Sequence, residues 1–194
     1  KEYRRQRQMC IRDRLSGETL LNRIINTSKK LNPDKIFVVI GHKPELVKES
    51  LSNAKNVEIV LQEPQLGTGH AVQELSKKLI DFKGNLLILN GDVPLIRTES
   101  LKDLLKVHLS RDADVSLITT EKENPFGYGR VFKKNEYIEK IIEEKDCGLN
   151  EKQNKLINAG IYCFNWERLS KILNNLESNN CLLYTSPSPR DGLL

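Results

Sequence analysis

Short β-branched runs alternate with amphipathic stretches along most of this 194-residue chain, and that rhythm constrains the fold more than any other feature. Leu20, Leu21, Ile24, Ile25 and Leu31 recur at helical spacing, so a helix is expected over 18–31, stopped by Asn32-Pro33-Asp34. Lys35–Ile40 (KIFVVI) then reads as a buried strand, and the turn Gly41-His42-Lys43-Pro44 leads to a helix expected over 45–53. The same alternation gives a strand at Val57–Leu61, a polar glycine-bearing loop at 62–69 and a helix at about 70–80. Next come a strand at Leu86–Leu89 ending in Asn90-Gly91-Asp92, a helix at about 99–109 and a strand at Val115–Thr119. Such alternation predicts an α/β fold with a right-handed, doubly wound, mostly parallel sheet. After residue 125 the rhythm changes: 127–132, Tyr137–Ile142 and Leu156–Phe164 read as strands before a helix at Trp166–Leu176. A small antiparallel flap on the main sheet fits that pattern.

Charge is unevenly placed. The net +5 looks like a basic, nucleic-acid-seeking domain, but residues 1–14 alone carry +4 and residues 15–180 only +1. Arg dominates the basic residues of 1–14, whereas Lys dominates those of 15–180, which are also rich in Asn and Ile. Residues 181–194 (CLLYTSPSPRDGLL) have a Ser-Pro loop composition unable to continue a core. Residues 1–14 and 181–194 therefore read as non-native extensions, of the kind that translated adapter sequence produces, around a partial domain at 15–180. No apolar run approaches the roughly 20 residues of a membrane span, and the Arg-rich start lacks the apolar core of a signal peptide. The four cysteines show no CxxC spacing, so Cys147 and Cys163 read as packing thiols of a reducing, cytoplasmic setting. Lys133-Lys134 and the charged stretch 139–146 read as solvated surface.

Chemistry in an open α/β sheet sits beyond the carboxyl ends of the strands, and two segments occupy such places. In Gln62–His70 (QEPQLGTGH), Gly67 and Gly69 permit close backbone approach, and the helix that follows offers its positive end to an anion. In LLILNGDVPLI (86–96), Asp92 follows a buried strand and can hold Mg²⁺, or simply cap the turn before Pro94. A metal trio or hydrolase relay of His42, His70 and Asp92 is disfavoured, because no HExxH or GxSxG accompanies them.

QEPQLGTGHAV, NGDVPLI, NPFGYGR, IIEEKD and INAGIY occur in this order over about residues 16–178. Together they resemble the uridyltransferase half of the bacterial bifunctional N-acetylglucosamine-1-phosphate uridyltransferase/glucosamine-1-phosphate acetyltransferases. The resemblance implies a Rossmann-like nucleotide-diphosphosugar transferase fold. It implies synthesis of UDP-N-acetylglucosamine and pyrophosphate from UTP and N-acetylglucosamine 1-phosphate, for peptidoglycan and lipopolysaccharide. It puts Gln62, Gly67 and Thr68 at the uridine end, with the Gln62 amide on the uracil edge. Asn90, Gly91 and Asp92 fall beside the ribose and phosphates, with Asp92 as the Mg²⁺ ligand. Asn90 replaces an aromatic residue often found there. Gly129, Glu143 and Asn158 fall around the amino sugar, with Glu144 as the alternative to Glu143.

By that resemblance the chain lacks the first strand and a glycine-rich G-x-G-T-R-M loop with its downstream Lys, where the Arg-rich string stands instead. A second metal-binding Asn and the acetyltransferase half are missing too. The expectation is an inactive, monomeric fragment of an enzyme that trimerises through its other half. Two alternatives remain at this point: a sister cytidylyl- or guanylyltransferase of the same fold, and a non-catalytic sugar-nucleotide-binding fragment.

Overall fold

In a computed structural model, the described residues are 14–15, 17–41, 45, 47, 51, 56–91 and 93–173. Both terminal extensions therefore fall almost wholly outside them, as do His42, Asp92 and most of the helix expected over 45–53.

The described residues begin with a hairpin, β1 (Arg14–Leu15) against β2 (Glu18–Thr19). Helix α1 (Leu20–Lys29) starts two residues later than its apolar spacing suggested. Thr19 is the reason: its hydroxyl accepts a hydrogen bond from the Asn22 amide (3.2 Å), an N-cap that fixes the boundary. Strands β3 (Ile36–Ile40) and β4 (Val57–Leu61) pair in parallel, with Ile36 opposite Val57 and Ile40 opposite Leu61. Helix α2 (Thr68–Ser76) follows the glycine loop, then β5 (Asn85–Ile88), α3 (Thr98–Ser110) and β6 (Val115–Glu121). Strands β7 (Arg130–Lys134), β8 (Tyr137–Ile142) and β9 (Leu156–Asn165) precede α4 (Trp166–Leu173).

Period-two alternation in β3 explains why helices cover both faces. Val38 and Ile40 bury themselves with Leu21 and Ile25 of α1. Phe37 and Val39 point the other way, into a cluster with Val60, Leu75 of α2, and Trp166 and Leu173 of α4. A third cluster sets Leu101 and Leu104 of α3 on Ile161 and Cys163 of β9. Trp166 is buried with its indole N–H satisfied, donating to the Leu79 carbonyl at 3.1 Å.

The α/β class and the pairing of a parallel with an antiparallel sheet are as expected, in a different proportion. Among the described residues the parallel register is confined to β3–β4. Strand β9 is the hub of the larger sheet and pairs antiparallel with β5, β6 and β7. Because β5 and β6 both run against β9, they run parallel to each other with β9 between them. Alternation alone cannot reveal this insertion, because β9 lies more than thirty residues beyond β6 in sequence.

Cys163 is fully buried, and burial pushes its thiol up to about 11; the Cys147 thiol is also raised by burial. Both behave as packing residues, as the sequence suggested. Among the described residues, no helix is long and apolar enough to cross a membrane.

Candidate active site

The residues singled out above fall into two groups, built in different ways. The first is a single contiguous turn. Gln62 leaves β4 with its amide N–H donating to the Ile40 carbonyl (2.8 Å), so its side chain starts from the end of the parallel pair. Gly67 adopts φ +109°, open to glycine alone among common residues, and hands the chain to α2 at Thr68. The Gly67 carbonyl accepts twice, from the Ala71 amide (3.1 Å) and from Gln62 Nε2 (2.8 Å). Gln62 is thereby buried against the start of α2, with Gly67 also buried and Thr68 exposed. Gln62 Nε2 also lies 3.1 Å from Nδ1 of His70, whose Nε2 lies 3.5 Å from a carboxylate oxygen of Glu74. On the neighbouring strand end, a Cβ on Gly41 would collide with the Gln65 side chain, so that glycine makes room for the loop.

The second group draws on four strands. Asn90 and Gly91 continue β5, both half-buried. A Cβ built on Gly160 would collide with the Asn90 amide nitrogen, so Asn90 lies directly on the Gly160 backbone. Gly160 itself has φ +71°. It sits in a bulge of β9: pairing with β6 passes from Leu117↔Tyr162 to Thr119↔Asn158, two residues on one strand against four on the other. In a regular strand, residues four apart stand about 13 Å from each other. Here the bulge folds them together, and the Asn158 side-chain amide donates to the Tyr162 hydroxyl while its Oδ1 accepts from the Gly160 N–H (2.9 Å).

The Asn158 backbone N–H donates to the Gly129 carbonyl at 2.9 Å. A Cβ on Gly129 would stand 3.2 Å from Glu143 Oε1, so the carboxylate packs on a bare backbone. The structure thus brings Gly129, Glu143 and Asn158 together, and sets Asn90 beside them. Burial raises the Tyr162 phenol above its ordinary value; the Asn158 bond opposes that rise and the nearby Glu143 charge adds to it.

Glu143 and Glu144 have different surroundings. Glu144 pairs with Arg130, whose side chain is 2% exposed and also donates to the Tyr128 carbonyl. The reading of 139–146 as solvated surface is therefore corrected at Glu143 and Glu144, which are half-buried, drawn inward by Gly129 and Arg130. Sequence reasoning also missed Arg130, Gly160 and Tyr162. Their signals were a charge within a strand pattern and a glycine interrupting one, in NPFGYGR and INAGIY.

Among the described residues, no three His, Cys, Asp or Glu side chains converge on a metal position. Mg²⁺ held by one carboxylate and by substrate phosphates needs no such convergence. Asp92, whose carboxylate is the hard oxygen donor that Mg²⁺ takes, lies outside the described residues.

The nucleotidyl transferase family profile matches residues 11–182. The chain belongs to that family. Over 167 residues this nucleotidyl transferase is 47% identical to the bifunctional protein GlmU of Prochlorococcus marinus strain NATL2A, and 46% identical to that of Nostoc sp. strain PCC 7120. Each match takes in 86% of this chain and 37% of the relative, so the chain spans just over a third of the curated proteins it matches. Among solved structures, apo UDP-glucose pyrophosphorylase superposes with TM-score 0.70 at 13% identity, covering 91% of this chain and 77% of that one. The CMP:2-keto-3-deoxy-manno-octonic acid synthetase complexed with CTP gives 0.66 at 15% identity, over 88% and 73%. These likenesses establish the nucleotidyl transferase fold; at such identities they say nothing of the base or the sugar.

Proposed function

We propose that this chain carries the uridyl-transfer site of an enzyme joining UTP to N-acetylglucosamine 1-phosphate, giving UDP-N-acetylglucosamine and pyrophosphate. The observation that carries the reading is the meeting of Gly129, Glu143, Asn158 and Asn90 at the Gly160 bulge. Residues from the end of β5, the β7–β8 hairpin and β9 converge beside the end of β5. The GlmU relatives supply independent support.

In this reading Gln62, Gly67 and Thr68 take the uridine, and Asn90 and Gly91 pass beneath the ribose and phosphates. The Gly129 N–H, the Glu143 carboxylate and the remaining Asn158 amide hydrogen meet the hydroxyl and acetamido groups of the sugar. The sugar phosphate oxygen attacks the α-phosphorus in line and pyrophosphate leaves, so positioning rather than a side-chain nucleophile carries the catalysis. Mg²⁺, held by Asp92, would supply neutralisation of phosphate charge. The two substrates place the reaction in the cytoplasm.

The test is calorimetric titration with UDP-N-acetylglucosamine. Glu143→Gln and Asn158→Ala should each weaken binding about ten-fold, the effect of one hydrogen bond to a polar or charged ligand group. Unchanged affinity in both variants, or equal binding of CTP and UTP, sinks the proposal.

A further inference from the structure

The amide of Gln62 has a fixed polarity, and the reason lies in its surroundings. A carbonyl oxygen can only accept, so the Gln62 atom 2.8 Å from the Gly67 carbonyl is the nitrogen. His70 Nδ1, 3.1 Å from that same nitrogen, must then accept as well. An imidazole nitrogen that accepts leaves the ring proton on Nε2, and Nε2 is the atom facing the Glu74 carboxylate at 3.5 Å. Glu74 is itself held by Lys77 at 2.6 Å. Both amide hydrogens of Gln62 are consumed in this way. Among the described residues the Oε1 oxygen takes no hydrogen bond, so it alone is left for a ligand.

We propose that His70, aligned by Glu74, is a positioning residue that makes Gln62 an acceptor-only probe of the base, selecting pyrimidines that carry an imide N–H. Uracil and thymine present a donor at N3, which pairs with Oε1. Cytosine presents a lone pair there, and two acceptors face each other unpaired. A polar group left unpaired on the wrong ligand discriminates more strongly than a missing methylene does. With a ring that cannot accept at position 70, one Gln62 N–H is released, the Gly67 bond alone holds the amide, and the Oε1 oxygen is aimed less firmly at the base, so uracil loses part of its advantage over cytosine. The proposal rests on the reading that Gln62 faces the base.

The experiment measures UTP and CTP affinity of the 194-residue chain by calorimetry, alongside amide NMR of the Gln62 side chain. His70→Phe keeps the ring volume and removes the acceptor; the UTP-over-CTP preference should fall about five-fold, equivalent to one neutral hydrogen bond. His70→Asn restores an acceptor and should restore the preference. In the NMR spectrum, one Gln62 side-chain proton should lose its exchange protection in His70→Phe and keep it in His70→Asn. A preference unchanged in His70→Phe, while Gln62→Ala weakens UTP binding, overturns the role of His70 and leaves the base site standing. UTP binding indifferent to Gln62→Ala, or absent altogether, overturns the base site and the proposal with it.

Discussion

The turn from Gln62 to Glu74 and the cluster around Gly160 are both polar, both anchored on a glycine and both placed where a strand ends. They differ in how far the chain must travel to make them. The first closes within thirteen residues: Gln62, Gly67, His70 and Glu74 are linked by contacts between residues four to eight apart. The second joins residues 90, 129, 143 and 158–162, so it exists only when β5, β7, β8 and β9 have met. A local site survives partial loosening of the sheet. An assembled site is lost with it.

The largest expected effect lies beneath the assembled region. Arg130 is buried against Glu144, and replacing it with Leu strands a half-buried carboxylate, at a cost of about 3 kcal/mol in stability. Urea unfolding measures this, and the contrast predicts that sugar-nucleotide binding falls in proportion while Gln62 side-chain protection persists at low denaturant. Equal loss in both regions would erase the distinction.

Gly160→Ala is next. The new methyl meets the Asn90 amide and the residue is held at φ +71°, so about 2 kcal/mol of destabilisation is expected. Binding of UDP-N-acetylglucosamine should fall more than binding of UTP, because both ligands pass Asn90 but only the sugar nucleotide also meets Asn158, Glu143 and Gly129 around the bulge. A uniform loss would show that the two regions are coupled.

The smallest effect is a pH dependence from a group in neither region. His108 of α3 is 2% exposed, with Nδ1 3.0 Å from Ser116 Oγ and Nε2 3.2 Å from Asn85 Oδ1, the far end of β5 from Asn90. Burial lowers its pKa, as does Arg168, against the opposing pull of Asp112 and Asp114. The folded state thus binds a proton less readily than the unfolded chain. The stability it contributes is full above the ordinary value of 6.5 and declines as pH falls below it toward the depressed native value. His108→Gln should flatten that decline in thermal unfolding between pH 7 and pH 5. If the decline persists unchanged, another group is responsible.

Legibility followed the same division. The segment Gln62–His70, with Gly67 and Gly69, was readable because a glycine-bearing turn between a strand and a helix is itself a local object, while the uridine roles of Gln62, Gly67 and Thr68 came from resemblance. Gly129, Glu143 and Asn158 were reached only through resemblance, and nothing local to any one of them shows that they touch. The choice between Glu143 and Glu144 illustrates this well, since adjacent carboxylates look alike until Arg130 takes one and the Gly129 backbone faces the other.

By itself, then, the sequence determined the α/β rhythm and the polar turn at Gln62. Each of these depends on periodicity or on residues within a few positions of one another. Tertiary structure alone decided that β9 would enter between β5 and β6, that Asn158 and Tyr162 would fold together across a bulge, and that Arg130 would be buried. Those outcomes depend on hydrogen bonds and packing between segments tens of residues apart, whose strength is set by the register and burial of the assembled sheet.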